Sequence, residues 1–187
     1  MRFLFFLFLI FFPNTSFSIS SEEVINRYFL DKKIETVEGI WMTSRGSSFF
    51  IKKSGVEYIA LMISSPNYYS GSKFMNLYKN SDNSFQGQCT LHNGEGGTVS
   101  LKILNQNTLE SKCTVGWSSQ TISINRIWPQ SIEDHNQAVD INIKRKQDEL
   151  AKQRAQTTNS SIKQTYSQPT YSSESSAKKI LKKIIGK

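Results

Sequence analysis

No apolar run in this chain of 187 residues is long enough to cross a bilayer as a helix. The longest, residues 3–12, holds ten residues, about 15 Å of helix against roughly 30 Å of hydrocarbon. Its setting is that of a secretory signal: Arg2 before it, then Pro13 and a small polar patch over residues 14–20. Ser16 and Ser18, or Ser18 and Ser20, suit the −3 and −1 positions of a cleavage site. Residues 1–20 are therefore expected to be a signal peptide. The mature chain would start at Ile19 or Ser21 and be periplasmic or secreted. No cysteine lies near that point, which argues against a lipid-modified N-terminus.

Residues that do chemistry are also scarce. The two histidines, His92 and His135, have no Cys, His or carboxylate neighbours at ligand spacing, so no metal site is expected. His92 lies beside an Asn93-Gly94 turn, and His135 is expected on the exposed side of a helix. No serine sits in a nucleophile elbow. The Gly94-Glu95-Gly96-Gly97 stretch leads into a strand rather than a helix, as a hairpin loop does and a phosphate cradle does not. No residue is nominated as catalytic, no cofactor is expected, and the expectation is a protein that is not an enzyme. The net charge of +8 is mostly a tail property: residues 177–187 carry five lysines and no acid. A nucleic-acid binder would instead show a basic face on its folded domain, so no nucleic-acid partner is expected.

What the chain does have is a series of short apolar or alternating runs broken by turn signals. Eight strands are expected, at residues 39–43, 48–52, 56–63, 73–79, 84–91, 98–104, 109–115 and 120–128. Most gaps are short enough for hairpins. Phe85, Cys89 and Leu91 alternate with Gln86, Gln88 and Thr90. Val99, Leu101 and Ile103 alternate with Ser100 and Lys102, and Ile122 and Ile124 with Thr121 and Ser123. Each such strand has one apolar and one polar face. The fold class is mainly β: a small antiparallel up-and-down barrel of about eight strands over residues 37–130, or a barrel-like sheet left partly open. Residues 58–63 are apolar on both faces. An N-terminal helix over residues 21–30, within a lead-in of 21–36, is expected to cover the outer one, with Ser20 and Glu23 as a capping box.

Beyond the barrel, a helix is expected over residues 131–155, capped by Ser131. Its stripe of Ile132, Val139, Ile143 and Leu150 spans about 40° at 100° per residue. Such a narrow stripe suits a helix on the barrel wall or against one partner helix. Residues 156–176 read as a disordered polar spacer. Residues 177–187 form a basic amphipathic helix. Ile180, Leu181, Ile184 and Ile185 share one face, and Lys178, Lys179, Lys182 and Lys183 lie on the other. That pattern suits an anionic membrane surface, a protein partner, or a solvated end.

Glu38-Gly39-Ile40-Trp41 opens the β region and Arg126-Ile127-Trp128-Pro129 closes it. This pairing resembles the lipocalins and other calycins, whose first strand begins Gly-x-Trp and whose last strand carries an Arg over that Trp. The resemblance implies structural roles for Gly39, Trp41 and Arg126 and a barrel that holds a small apolar ligand. A guanidinium over an indole face is worth about 0.5–2 kcal/mol.

On this reading the cavity lining would come from Phe85, Leu91, Val99, Leu101, Ile103, Val115, Ile122 and Ile124. Tyr68 and Tyr69, on the longest loop, either add binding area at the mouth or divide, one packing over the barrel end and the other exposed. The second reading is an envelope adaptor with a solid barrel, contacting a membrane surface or a protein through its tail. Cys89 and Cys113, an even count in an exported chain, favour a disulfide. In a regular meander, however, they sit two strands apart, about 9.5 Å, beyond the roughly 7 Å over which cysteines bridge. Both a bridge and two buried thiols remain open at this point.

Overall fold

The computed structural model describes the backbone of residues 19–165 and the side chains of residues 19–157. The expected signal segment before Ile19, the part of the spacer from residue 166 on, and the lysine-rich tail lie outside the described residues.

The first element is α1 (Ser21–Tyr28). Ser20 caps it, its hydroxyl accepting from the Glu23 amide at 3.1 Å. Eight strands follow: β1 (Gly39–Thr43), β2 (Ser48–Ser54), β3 (Glu57–Ser64), β4 (Lys73–Ser81), β5 (Ser84–Thr90), β6 (Gly96–Asn105), β7 (Thr108–Val115) and β8 (Ser118–Trp128). Each pairs antiparallel with its neighbours in sequence, and β1 pairs with β8, so the sheet is a closed barrel. Closure pairs every edge, which suits strands this short.

Two apolar cores result. Inside the barrel, the inward rows bury Trp41, Phe49, Ile51, Tyr58, Ala60, Leu77, Phe85, Val99, Leu101 and Leu109, among others. Outside, Val24 and Phe29 pack with Ile34, Ile40, Phe50 and Ile63, so the doubly apolar strand β3 is covered by the N-terminal helix as its sequence requires. Tyr28 stacks on Phe50 at 5.2 Å, and Phe29 lies 5.2 Å from Trp128.

The last element, α2 (Ile132–Thr165), runs ten residues beyond the end expected at 155 and takes in residues 156–165 of the expected spacer. No glycine or proline interrupts it before Pro169, and Ala, Lys, Gln and Arg around residues 151–156 are good helix formers. The described residues divide into two compact units after Asn142. In the first unit, Val139 is buried, and the Asn136 side chain brackets Ile34, accepting from its N–H at 2.9 Å and donating to its carbonyl at 3.1 Å. His135 does not lie on an exposed face as expected. It is half-buried, 4.9 Å from the Trp128 ring, with Nε2 3.0 Å from the Lys32 carbonyl oxygen. In the second unit, Ile143 and Leu150 of the expected stripe are exposed.

One barrel end is closed by the segment before β1. Arg126 lies with its guanidinium carbon 4.0 Å from the Trp41 ring centroid. It donates to the carbonyls of Gln106 at 2.6 Å and Glu38 at 2.7 Å, and to that of Thr36. Burial pushes the guanidinium down to about 10, still charged at neutral pH. The Trp41 indole N–H donates to the Val37 carbonyl at 3.0 Å. Gly39 is a glycine for two reasons. Its φ is +129°, and a Cβ there would sit 2.4 Å from the Trp128 carbonyl oxygen. Glu38, only 1% exposed, anchors the same segment: its carboxylate accepts from the Lys53 amide at 2.8 Å, the Glu35 amide at 3.0 Å and the Lys32 ammonium at 2.7 Å. A buried carboxylate is tolerated because its oxygens are satisfied.

Candidate functional site

The other barrel end stays open. By the topology, the β1–β2, β3–β4, β5–β6 and β7–β8 loops all lie there. A cavity of about 360 Å³ opens between them, within the range of small-molecule sites. Its apolar wall is Phe49, Met62, Phe74, Met75, Leu91, Ile122 and Ile124, together with Cys89 and Cys113. Arg45 and Gln120 stand at its rim. With the Gln120 amide oxygen turned toward the guanidinium, it accepts from Arg45 Nη1 at 3.2 Å and also from Nη2. The lining contains no carboxylate. Among the described residues, no three His, Cys, Asp or Glu side chains gather as a metal site would need.

Tyr68 folds over this mouth. Its hydroxyl donates to the Thr90 carbonyl at 3.1 Å, and its ring lies 5.7 Å from Phe74 and 6.2 Å from His92. Burial pushes its phenol above the ordinary value. Tyr69 points away and is 91% exposed. The two tyrosines have therefore divided, one wall and one solvent-facing.

Cys89 and Cys113 are bridged, with Cα atoms 6.8 Å apart. The expectation that two strand spacings would hold them out of reach is corrected by Gly97. This residue pairs with Cys89 on the intervening strand β6. A Cβ there would lie 3.2 Å from Cys89 Sγ and 2.4 Å from the Thr114 carbonyl oxygen, so the bridge crosses β6 where there is no side chain in the way. Reduction, or Cys113→Ser, is expected to lower the unfolding free energy by about 3 kcal/mol, as loop closure over such a separation predicts. Urea titrations with and without reductant read that difference.

Of the residues nominated as lining, Leu91, Ile122, Ile124 and Tyr68 reach the cavity. Phe85, Val99, Leu101 and Ile103 are buried in the packed core, where Phe85 meets Tyr58 edge-on at 5.1 Å. Val115 is half-buried near the end of β7, beside Gly97. Sequence reasoning missed Phe49, Met62, Phe74, Met75 and Arg45. Phe49 and Met62 pair across β2 and β3, but both of those strands are apolar on both faces, so alternation does not say which set faces in. Phe74 is an extra residue in its strand: Ala60 pairs with Met75 and Leu61 with Lys73. That bulge lets two successive side chains, Phe74 and Met75, reach one cavity.

No protein-family model matches the chain, and no curated protein is similar to it in sequence. What the structure defines is a class of architecture: a closed, eight-stranded, up-and-down antiparallel barrel with one end sealed and the other cupped.

Proposed function

We propose that this chain is an exported binding protein of lipocalin-like build that holds a small apolar or amphiphilic ligand in the open cup. The observation that carries the reading is the asymmetry of the barrel. One end is sealed by Trp41, Arg126 and Glu38, while the other keeps about 360 Å³ lined by aromatic and aliphatic side chains. An interior that existed only to stabilise the fold would be filled to crystal-like density. Arg45 at a rim without carboxylates suits a ligand whose polar end is neutral or anionic. The disulfide supports export, since such bridges persist in oxidising compartments.

The cup is tested with the neutral dye 1-aminoanthracene. The full chain is expected to bind it with enhanced fluorescence. Ile122→Trp, which fills the cup from a half-buried position, is expected to weaken binding at least about tenfold, the loss of roughly one methylene pair's contact area or more, with circular dichroism unchanged. Equal binding by the variant would rule the cup out as the ligand site.

The fold also bears on processing. Ile19 donates its N–H to the Ser70 hydroxyl at 2.9 Å and packs with the outer core, and Ser20 caps α1. Cleavage after Ser20 would remove both contacts, so the mature N-terminus is expected at Ile19. Intact-mass measurement of exported protein distinguishes Ile19 from Ser21.

A further inference from the structure

The outer face of strands β4–β7 carries a groove of about 760 Å³ that is separate from the cup. Strand register aligns two cross-strand rows on it. One runs Asn76, Gln88, Thr98, Thr114, and the other Tyr78, Gln86, Ser100, Lys112. At about 4.8 Å per strand each row is roughly 14 Å long. Gly87 and Val99 lie between the rows and also line the groove.

We infer that this groove is a second binding site, for a neutral oligosaccharide chain. Three features carry the inference. First, the chemistry of the rows is amide and hydroxyl, with Lys112 the one charge in eight residues. The next outward row, Ser84, Lys102, Glu110 and Ser123, is charged in the ordinary manner of a solvated sheet face. A polyanion would need more than one cation, and an apolar ligand would leave the amides unpaired.

Second, the protein itself does not tie these groups up. Asn76, Gln86, Gln88, Thr98, Ser100 and Thr114 make no side-chain hydrogen bond to protein among the described residues, and Asn76 Oδ1 is buried without a protein donor. A buried acceptor without a donor is costly, and turning that amide toward a ligand breaks no existing bond. Asparagine and glutamine each offer a donor and an acceptor side by side, the pattern that neighbouring sugar hydroxyls present. Third, Tyr78 supplies a half-exposed aromatic surface at one end of its row. Its hydroxyl is fixed by donation to Glu57 at 3.2 Å, leaving the ring as a platform for the apolar face of a pyranose.

The test uses the full chain, labelled with nitrogen-15, titrated to millimolar concentration with chitotetraose, cellotetraose and maltotetraose. At least one of these is expected to shift the side-chain amide signals of Asn76, Gln86 and Gln88 while leaving the backbone amide signals of cup residues such as Leu91 in place. The double variant Gln86→Ala/Gln88→Ala, on an outward face, is expected to keep the barrel's circular dichroism and weaken that binding about tenfold, as loss of two hydrogen-bonding partners should. Tyr78→Phe, which keeps the platform, is expected to retain binding, and Tyr78→Ala to weaken it. No shift with any of the three sugars, shifts confined to the cup, or binding indifferent to the double variant would each overturn the inference.

Discussion

Arg126→Ala is expected to lower the unfolding free energy by about 3 kcal/mol, the scale of losing a charged donor's hydrogen bonds to three carbonyls, net of the cost of burying that charge. The guanidinium does four things at once. It covers the Trp41 face at 4.0 Å and donates to the carbonyls of Gln106, Glu38 and Thr36. Hydrogen bonds from a charged donor contribute about 1.5–3 kcal/mol each, and truncation leaves their acceptors without a partner. The gain is partly offset in the native protein by the cost of burying the charge, seen in the depressed guanidinium value, which is why the contributions do not simply add. Arg126→Lys is expected to recover little. An ammonium keeps the charge but cannot reach three separate carbonyls from one plane or stack on an indole. Urea denaturation of the three proteins reads the difference. A loss under about 1 kcal/mol for Arg126→Ala would mean that the sealed end does not depend on this residue.

Gly87→Ala is expected to be at least as damaging, through geometry alone. A Cβ on Gly87 would lie 1.7 Å from the carbonyl oxygen of Asn76 and 3.0 Å from the Leu77 Cα. Both are backbone, so no rotamer change relieves the overlap, and β4 would have to separate from β5. A loss of about 4 kcal/mol or failure to fold is expected, the scale reached by severe overpacking. Gly96→Ala provides the control. It is also a strand glycine, but nothing lies within 4 Å of its added Cβ and its φ is not in the left-handed region. That substitution is expected to be neutral or slightly stabilising. Equal effects at the two positions would contradict the close approach of β4 and β5.

The barrel was legible in the sequence because β5–β8 alternate cleanly and short turns separate most of the eight strands. Eight short strands in a meander are enough to close a barrel, and the resemblance of Gly39, Trp41 and Arg126 to the lipocalin pattern implied that β1 and β8 meet. The cup was less legible. The part of its lining that comes from β2, β3 and β4 (Phe49, Met62, Phe74 and Met75) sits where apolar residues occupy both faces and a bulge at Phe74 breaks the two-residue period. Glu38 gave no sign that its carboxylate would be buried, because its partners are two backbone amides and a lysine brought in by the fold. The disulfide was undecidable from a regular-sheet geometry, since the feature that permits it is the missing side chain of Gly97 on the strand between.

The central claim, that the open end of this barrel holds a small molecule, is tested most directly by native mass spectrometry of the protein expressed with residues 1–20 in place. The account predicts a species heavier than the polypeptide by the mass of one small molecule, lost on denaturation and absent from Ile122→Trp. A bare polypeptide mass, unchanged after incubation with apolar amphiphiles, would contradict it.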